Sequence, residues 1–338
     1  MTDFSRAPAL RILGTGRYMP RRRLTSAEVD RNLGWAEGTT AARYGLESRA
    51  VAAADETSSM MAAAAAEAAL AAAGLEASAL DLILGACGVM EQPIPSTATL
   101  VQRRLNLCTS GIPAYDVNAT CLSFVQALEL AALKIAAGQA RKVLVFSADI
   151  ASAGLNWSQP DCAAIFGDGA AAVVLGADPD PPPGQGVLAS RMETYSIASA
   201  ACRLEAGGTR ITLQSDPARL HQGAVFQMDG RAALRHSSRY LPGFLRKLLD
   251  QAGVKLGDLA CIVPHQASAP ALEHGLARLG LPGEKVIRIF ADSGNQIASS
   301  IPSALHEAII TDRLQRGELV LLLGTSAGIS LGGMVLRY

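Results

Sequence analysis

The strongest constraint on this 338-residue chain is a repeated alternation of short apolar runs with longer helical patterns. Before residue 177, strand-length apolar runs fall at 81–87 (DLILGAC), 112–117 (IPAYDV), 142–148 (KVLVFSA) and 171–176. Helical patterns between them cover 57–74, 95–105 and 121–138. After residue 186, strands are expected near 187–197, at 260–264 (ACIVP), 286–290 (VIRIF), 319–323 (LVLLL) and 331–337, with helices over 229–252, 268–279 and 299–316. Strands alternating with helices of this length call for an α/β fold. The stretch between, ADPDPPPGQG at 177–186, forbids helix and central strand alike through its prolines. The chain therefore divides into halves at 1–178 and 186–338. The halves echo each other with offsets of 179 (Leu80 to Leu259), 175 (Tyr115 to Phe290) and 176 (Val143 to Leu319). Near-constant offsets favour a duplicated unit, although any two α/β domains look broadly alike.

Composition narrows the function classes. Hydrophobic residues are 49% and charged ones 18%, enough apolar surface for a large core and too much for disorder. Thirty basic residues balance thirty acidic ones, which leaves no net pull toward nucleic acid or anionic lipid. Six scattered cysteines without a CxxC pair read as reduced thiols, neither a disulfide framework nor a metal site. The opening MTDFSRAPALRILGTG has Asp3 and no apolar run of a secretory signal, so a cytoplasmic location is expected. Leu319 to Leu336 is uncharged and of membrane-spanning length, but four glycines and three hydroxyl residues suit two buried strands around a turn. No membrane span is expected.

Four elements could carry chemistry. Cys121 opens an apolar helix after strand 112–117, where unpaired backbone N–H groups and the helix dipole favour the nucleophilic thiolate. A buried structural cysteine fits the same position. His265 follows the strand ACIVP at a strand C-terminus, where α/β sheets bind ligands, and as a lone residue would equally be a surface histidine. Asn295, in DSGNQIASS, is by itself a turn or cap residue. By the matched offsets the loops of His265 and Asn295 correspond to loops of the first half, one bearing Cys121, and a pseudo-twofold would bring all three to one cleft. GTSAGIS, 324–330, is a small-residue turn whose N–H groups could approach a ligand, or a tight hairpin. Asp168 in FGDGA, the arginines 21–23 before a Thr25–Glu28 capping pattern, the alanine-rich 62–73 and Gly14-Thr15-Gly16 are assigned to structure: a turn, a solvated loop, a helix, and no dinucleotide site.

Taken together, ILGTGRYMP, RYGLESR, IPSTATLVQRRL, DVNATCLSF, FGDGAAAVVLG, VPHQAS, GNQIASSIP and GTSAGISLGG resemble the thiolase superfamily, most closely its β-ketoacyl-ACP synthase III type of condensing enzyme. They run in family order from about residue 11 to the end. The resemblance implies a layered αβαβα fold of two pseudo-symmetric halves, each with a mixed five-stranded sheet. It implies a catalytic set of Cys121, His265 and Asn295, with backbone N–H groups of Cys121 and Ala327 as oxyanion hole. The cysteine would take an acyl group from a thioester, and His and Asn would stabilise the enolate left when a malonyl thioester loses carbon dioxide. No cofactor or metal is implied; acyl-CoA or acyl carrier protein thioesters are the substrates.

The departures concern the donor's handle. Arg43 stands where the family has the Arg of its RTGI-like motif, but Thr39 replaces the Trp four residues before it. HQAN with a later Arg reads Ser268 and Pro270. These positions, with Arg43 and Ser268 lining the pocket, point to a specialised ketosynthase, loaded from a carrier protein or serving secondary metabolism, rather than routine acetyl-CoA priming. Degradative thiolases carry a second cysteine in the last glycine-rich loop, and GTSAG has none. Head-to-head condensing relatives carry a Glu before the Pro-Ser of the interface loop; here Ile94 stands there, with Glu91 nearby. Ile94 would reach across a homodimer into the partner's acyl pocket. Transfer of the acyl group to an alcohol or amine, a non-catalytic subunit of a hetero-oligomer, and a cysteine hydrolase are the competing readings.

Overall fold

The computed structural model describes residues 9–178, 184–212 and 214–338. The first half runs β1 (Ala9–Tyr18), β2 (Arg22–Thr25), α1 (Ser26–Leu33), α2 (Thr39–Tyr44), β3 (Ser48–Val51), α3 (Ser58–Ala73), β4 (Leu82–Gly85), α4 (Thr97–Arg104), β5 (Ala114–Asp116), α5 (Ser123–Ala136), β6 (Lys142–Asp149), α6 (Pro160–Ala163) and β7 (Gly169–Asp178). The second runs β8 (Gly186–Thr194), β9 (Cys202–Arg203), α7 (Pro217–Gly223), β10 (Gln227–Met228), α8 (Gly230–Ala252), β11 (Leu259–Pro264), α9 (Ala269–Leu279), α10 (Phe290–Ser293), α11 (Ser300–Ile310), β12 (Leu319–Ser326) and β13 (Ser330–Arg337). The first half of the opening stretch read as lacking a secretory signal, residues 1–8, and the middle of the Pro-rich connection, 179–183, lie outside the described residues.

The sheets reveal the duplication. The first has strand order β1-β7-β6-β4-β5, the second β8-β13-β12-β11. Each starts with two antiparallel pairings and continues in parallel, through two pairings in the first sheet and one in the second. The expected fifth strand of the second sheet, 286–290, is a correction. Only Val286 bridges β11, in parallel, at the place β5 holds in the first sheet. Gln266 explains it: its side-chain oxygen takes the N–H groups of Ile289 and Phe290, and its amide donates to Ile287 O. Those backbone groups therefore serve a side chain instead of a ladder, and the chain turns into α10.

Side-chain alternation builds the layers. In β4, β6 and β12, Leu82, Leu84, Val143, Val145, Val320 and Leu322 face a central layer of α5 and α11, with Phe124, Leu128, Ile301 and Leu305. Ile83, Leu144 and Phe146 face α3 and α4 on one outside, and Ile262 and Leu321 face α8 and α9 on the other. This is the αβαβα order. A fully buried side chain of this size contributes roughly 1.5–3 kcal/mol.

Small residues set the close contacts. A Cβ at Gly14 would stand 2.3 Å from Ala69 O, and one at Gly16 would stand 2.2 Å from Ala65 O. The GTG run thus lets β1 press on α3, whose inner alanines 62, 65, 66 and 69 are fully buried. The arginine-rich approach to α1 differs from the expected loop: Arg22–Thr25 pairs with β3 as a strand, while the Thr25–Glu28 capping box forms as read. Residues 319–337 fold as two buried strands around a turn, and among the described residues no helix is long and apolar enough to cross a membrane.

Candidate active site

Cys121 lies in a short turn, Thr120–Leu122, that leads into α5. Two features hold it. Thr120, immediately before it, has φ +53°, a left-handed conformation that costs a β-branched residue energy. Leu122, immediately after it and fully buried, plugs a slot in the other half's sheet: a Cβ at Gly324 would stand 3.0 Å from its Cδ2, and one at Gly332 would stand 2.9 Å from its Cδ1. The same Gly324 Cβ would stand 2.9 Å from His265 Cβ. The plug beside Cys121 and the base of His265 therefore share one contact point on β12.

The second half supplies the rest. His265 continues β11, its N–H donating 2.8 Å to Leu323 O. Asn295 is buried and joined to the first half: its N–H donates to Ile165 O, its carbonyl accepts from Gly167 N, and its Oδ1 accepts from Ile297 N at 3.0 Å. Ile297 has φ +52°. Gly88 lies between the two turns; a Cβ there would stand 2.3 Å from Ile297 Cγ2 and 3.5 Å from the Thr120 carbonyl carbon. The cysteine, histidine and asparagine turns thus converge.

Electrostatics modify the sequence expectation. Burial pushes the Cys121 thiol up to about 12, the nearby Asp149 adding to it, against the lowering effect of the Cys121 and Ala327 backbone N–H groups. The resting group is a thiol, not the expected thiolate. Ala327 lies in the β12–β13 turn. Burial brings His265 down to about 4, so its ring is neutral, and its Nδ1 is buried without a hydrogen-bond partner.

The pocket candidates separate. Arg43 is half exposed, ion-paired to Asp161 at 3.1 Å, with its guanidinium 5.6 Å from the rings of both Trp35 and Tyr44. Trp35, from just past α1, thus supplies an aromatic face beside Arg43 although Thr39 occupies the expected place. Ser268 caps α9 through Ala271 N, and a Cβ on Gly45, next to Tyr44, would stand 2.5 Å from Ala269 Cβ, so Arg43 and Ser268 border one rim. Ile94 is 85% exposed and stands outside its own chain's site, on a loop that also exposes Val89 and Met90. A cavity of about 280 Å³ opens between this loop and Asn118, lined by Cys87, Met90, Gln92, Ser96 and Asp116. Glu91 accepts from Ser59 N and so caps α3 instead of facing the sulfur.

Three functional positions went unread in the sequence. FGDG is more than a turn. Gly167 and Gly169 let the Asn295 loop approach, with Cβ distances of 2.1 Å to Ser293 O and 2.0 Å to Gln296 Nε2, while buried Asp168 ties Ala52 and Ser152 below. Gln266 and Leu122 are the others. The flanking glycines were the available signal. Among the described residues no group of three or more His, Cys, Asp or Glu could hold a metal ion.

Comparison with known proteins agrees with this fold. Residues 115–196 match the family described as 3-oxoacyl-[acyl-carrier-protein (ACP)] synthase III, and residues 249–338 match its C-terminal part. A β-ketoacyl-[acyl-carrier-protein] synthase III of Laribacter hongkongensis is 34% identical over 98% of this chain and 100% of its own. The crystal structure of the Aquifex aeolicus 3-oxoacyl-[acyl-carrier-protein] synthase III superposes with a TM-score of 0.86 at 33% identity, covering 98% of this chain and 100% of that one. The priming β-ketosynthase of the R1128 polyketide pathway superposes with a TM-score of 0.88 at 27% identity, over 100% and 98%. With its duplicated thiolase-fold sheets and these relatives, the chain belongs to the β-ketoacyl-[acyl-carrier-protein] synthase III family of condensing enzymes, acyltransferases that form carbon–carbon bonds.

Proposed function

We propose that Cys121 carries the acyl group, that His265 and Asn295 stabilise the malonyl-derived enolate, and that the enzyme serves a specialised pathway. In loading, the sulfur attacks an acyl thioester, its proton leaves with the departing thiol, and a new thioester forms at Cys121. A thiolate is both nucleophile and leaving group, which splits one difficult transfer into two. In condensation the malonyl thioester loses carbon dioxide, and the electron pair of the broken bond becomes the enolate. That carbon attacks the acyl carbonyl, the oxyanion is held by the N–H groups of Cys121 and Ala327, and collapse returns the sulfur with a β-ketoacyl thioester as product. No cofactor enters any step.

The observation that carries the reading is the convergence of Leu122, the residue after Cys121, and His265 on Gly324, with Asn295 braced alongside. The neutral histidine fits its role. With Nδ1 buried and unpartnered, a proton is least costly on Nε2, which leaves an N–H to donate. Because Asn295 Oδ1 is taken by Ile297 N, the amide group donates. Each such donor is worth roughly 3 kcal/mol in the transition state.

Donor choice follows from the rim. Arg43 spends its charge on Asp161 and its faces on Trp35 and Tyr44, leaving an aromatic surface with little spare positive charge for a nucleotide. That favours an acyl carrier protein as donor, and the polyketide-priming neighbour fits a role outside routine acetyl-CoA initiation. Ile94, with exposed Val89 and Met90, is an apolar patch that a second copy of the chain would cover, placing Ile94 in the partner's acyl cavity. The test is intact-mass spectrometry after incubation with acyl-CoA and acyl-carrier panels, followed by malonyl thioester. Acyl mass on Cys121 and a β-ketoacyl product are expected. A Cys121→Ala protein that still condenses both substrates sinks the reading.

A further inference from the structure

Asp149 ends β6, is fully buried, and carries a carboxylate that the steps above do not use. Its Oδ1 accepts the backbone N–H groups of Gly88 at 2.7 Å and Val89 at 2.9 Å. Its Oδ2 accepts the N–H and the hydroxyl of Ser299, both at 3.1 Å. The first pair belongs to the loop after β4, the second to the turn that follows Asn295 in the other half. A buried carboxylate is tolerated only when donors of this kind replace its water.

The knot sits where strain is stored. Gly88, fastened by Asp149, is pinched between Thr120 and Ile297, the two β-branched residues with left-handed φ among those described. One precedes Cys121 directly and the other lies two residues past Asn295. Such conformations persist only where surroundings over-determine them. Ser123 adds a second tie, its hydroxyl donating to Thr120 O at 2.7 Å, with Cys87 O farther off at 3.2 Å, while accepting from Ala119 N.

We infer that Asp149 is a positioning residue for the carbon–carbon-bond-forming step, holding the Cys121 turn and the Asn295 turn at a fixed separation. The inference rests on the assignment of Cys121 and Asn295 made above. Loading requires the sulfur and its flanking N–H groups. Condensation requires in addition that the enolate held by Asn295 stand within attack distance of the acyl carbonyl. A misplacement of about 1 Å at that stage costs on the order of a hundredfold.

The two half-reactions are therefore measured separately on purified full-length Asp149→Asn and Ser299→Ala, with thermal unfolding recorded for both. Loading is followed by intact mass with the acyl thioester that the wild type accepts best, and condensation by product formation with malonyl thioester. Asp149→Asn is expected to lower kcat for condensation about a hundredfold while the loading rate and the donor KM stay within about threefold. Ser299→Ala, which keeps the N–H donor, should show the same split at about tenfold, and it carries the test should Asp149→Asn not fold. Loading and condensation falling in parallel, or both variants condensing at the wild-type rate, overturn the inference alone. Wild-type protein that loads and never condenses overturns the proposed function, and the inference with it.

Discussion

At the scale of single residues, position decides more than identity. Cys121→Ala should gain no acyl mass from any thioester, whereas His265→Ala and Asn295→Ala should still load and lose about 100- to 1,000-fold in condensation, each read by coupled mass and product assays. Gly324→Ala probes the shared contact: its new Cβ would meet His265 Cβ at 2.9 Å and Leu122 Cδ2 at 3.0 Å, pushing the two half-sites apart. It should lower condensation at least tenfold for a stability loss of about 1–3 kcal/mol, measured by urea unfolding beside steady-state rates. Of the three candidate residues, Cys121 and His265 were legible because each lies where a strand gives way to a loop before a helix, and Asn295 because a strand-like run, 286–290, and a helical pattern flank it in a matching place of the second half, although that run forms no strand. Asp149 was not legible. An acidic residue at the end of an apolar strand looks like a solubilising terminus until the fold surrounds it with N–H donors. Nor was the thiol's resting state, since the dipole argument for Cys121 omits the burial that outweighs it.

At the scale of elements, glycine placement and donor competition set what could be foreseen. Long periodic helices such as α3 and α8 and the apolar strands β4, β6 and β12 emerged from pattern alone. β1 did not, since Gly14 and Gly16 dilute its strand character while serving its contact with α3. Gly16→Val should therefore destabilise by about 2 kcal/mol or more, because the clash is with backbone atoms of α3 and not with a side chain able to swing away. A lowered melting temperature is the readout. VIRIF, 286–290, failed in the opposite direction: β-branched residues at strand spacing predict a ladder, yet Gln266 captures two of the N–H groups that a ladder would need. Local propensity could not anticipate a buried side chain arriving from another loop.

At the scale of the whole molecule, the duplication places two opposed titrations near one seam. Burial lowers folded His265 to about 4, so between pH 6.5 and 4 the folded protein binds fewer protons than the unfolded chain there, and this residue withdraws about 3 kcal/mol as the pH falls. Burial raises Asp149 to about 6, so between pH 6 and 3.8 the folded protein binds more protons, and this residue returns a similar amount over nearly the same window. Relative to wild type, His265→Asn should gain about 3 kcal/mol between pH 7 and pH 4 and Asp149→Asn should lose as much, by urea unfolding at the two pH values. Ile94→Glu should leave monomer mass in light scattering if the exposed loop is the seat of a second copy; unaltered mass removes Ile94 from that role. The halves also meet through the leucine that follows the nucleophile, seated between two glycines of the opposite sheet. Sulfur placement is thereby governed from a distance by the depth of that seat. Natural variation or a designer could shift reactivity in small increments by adjusting the seat, leaving every reacting group untouched.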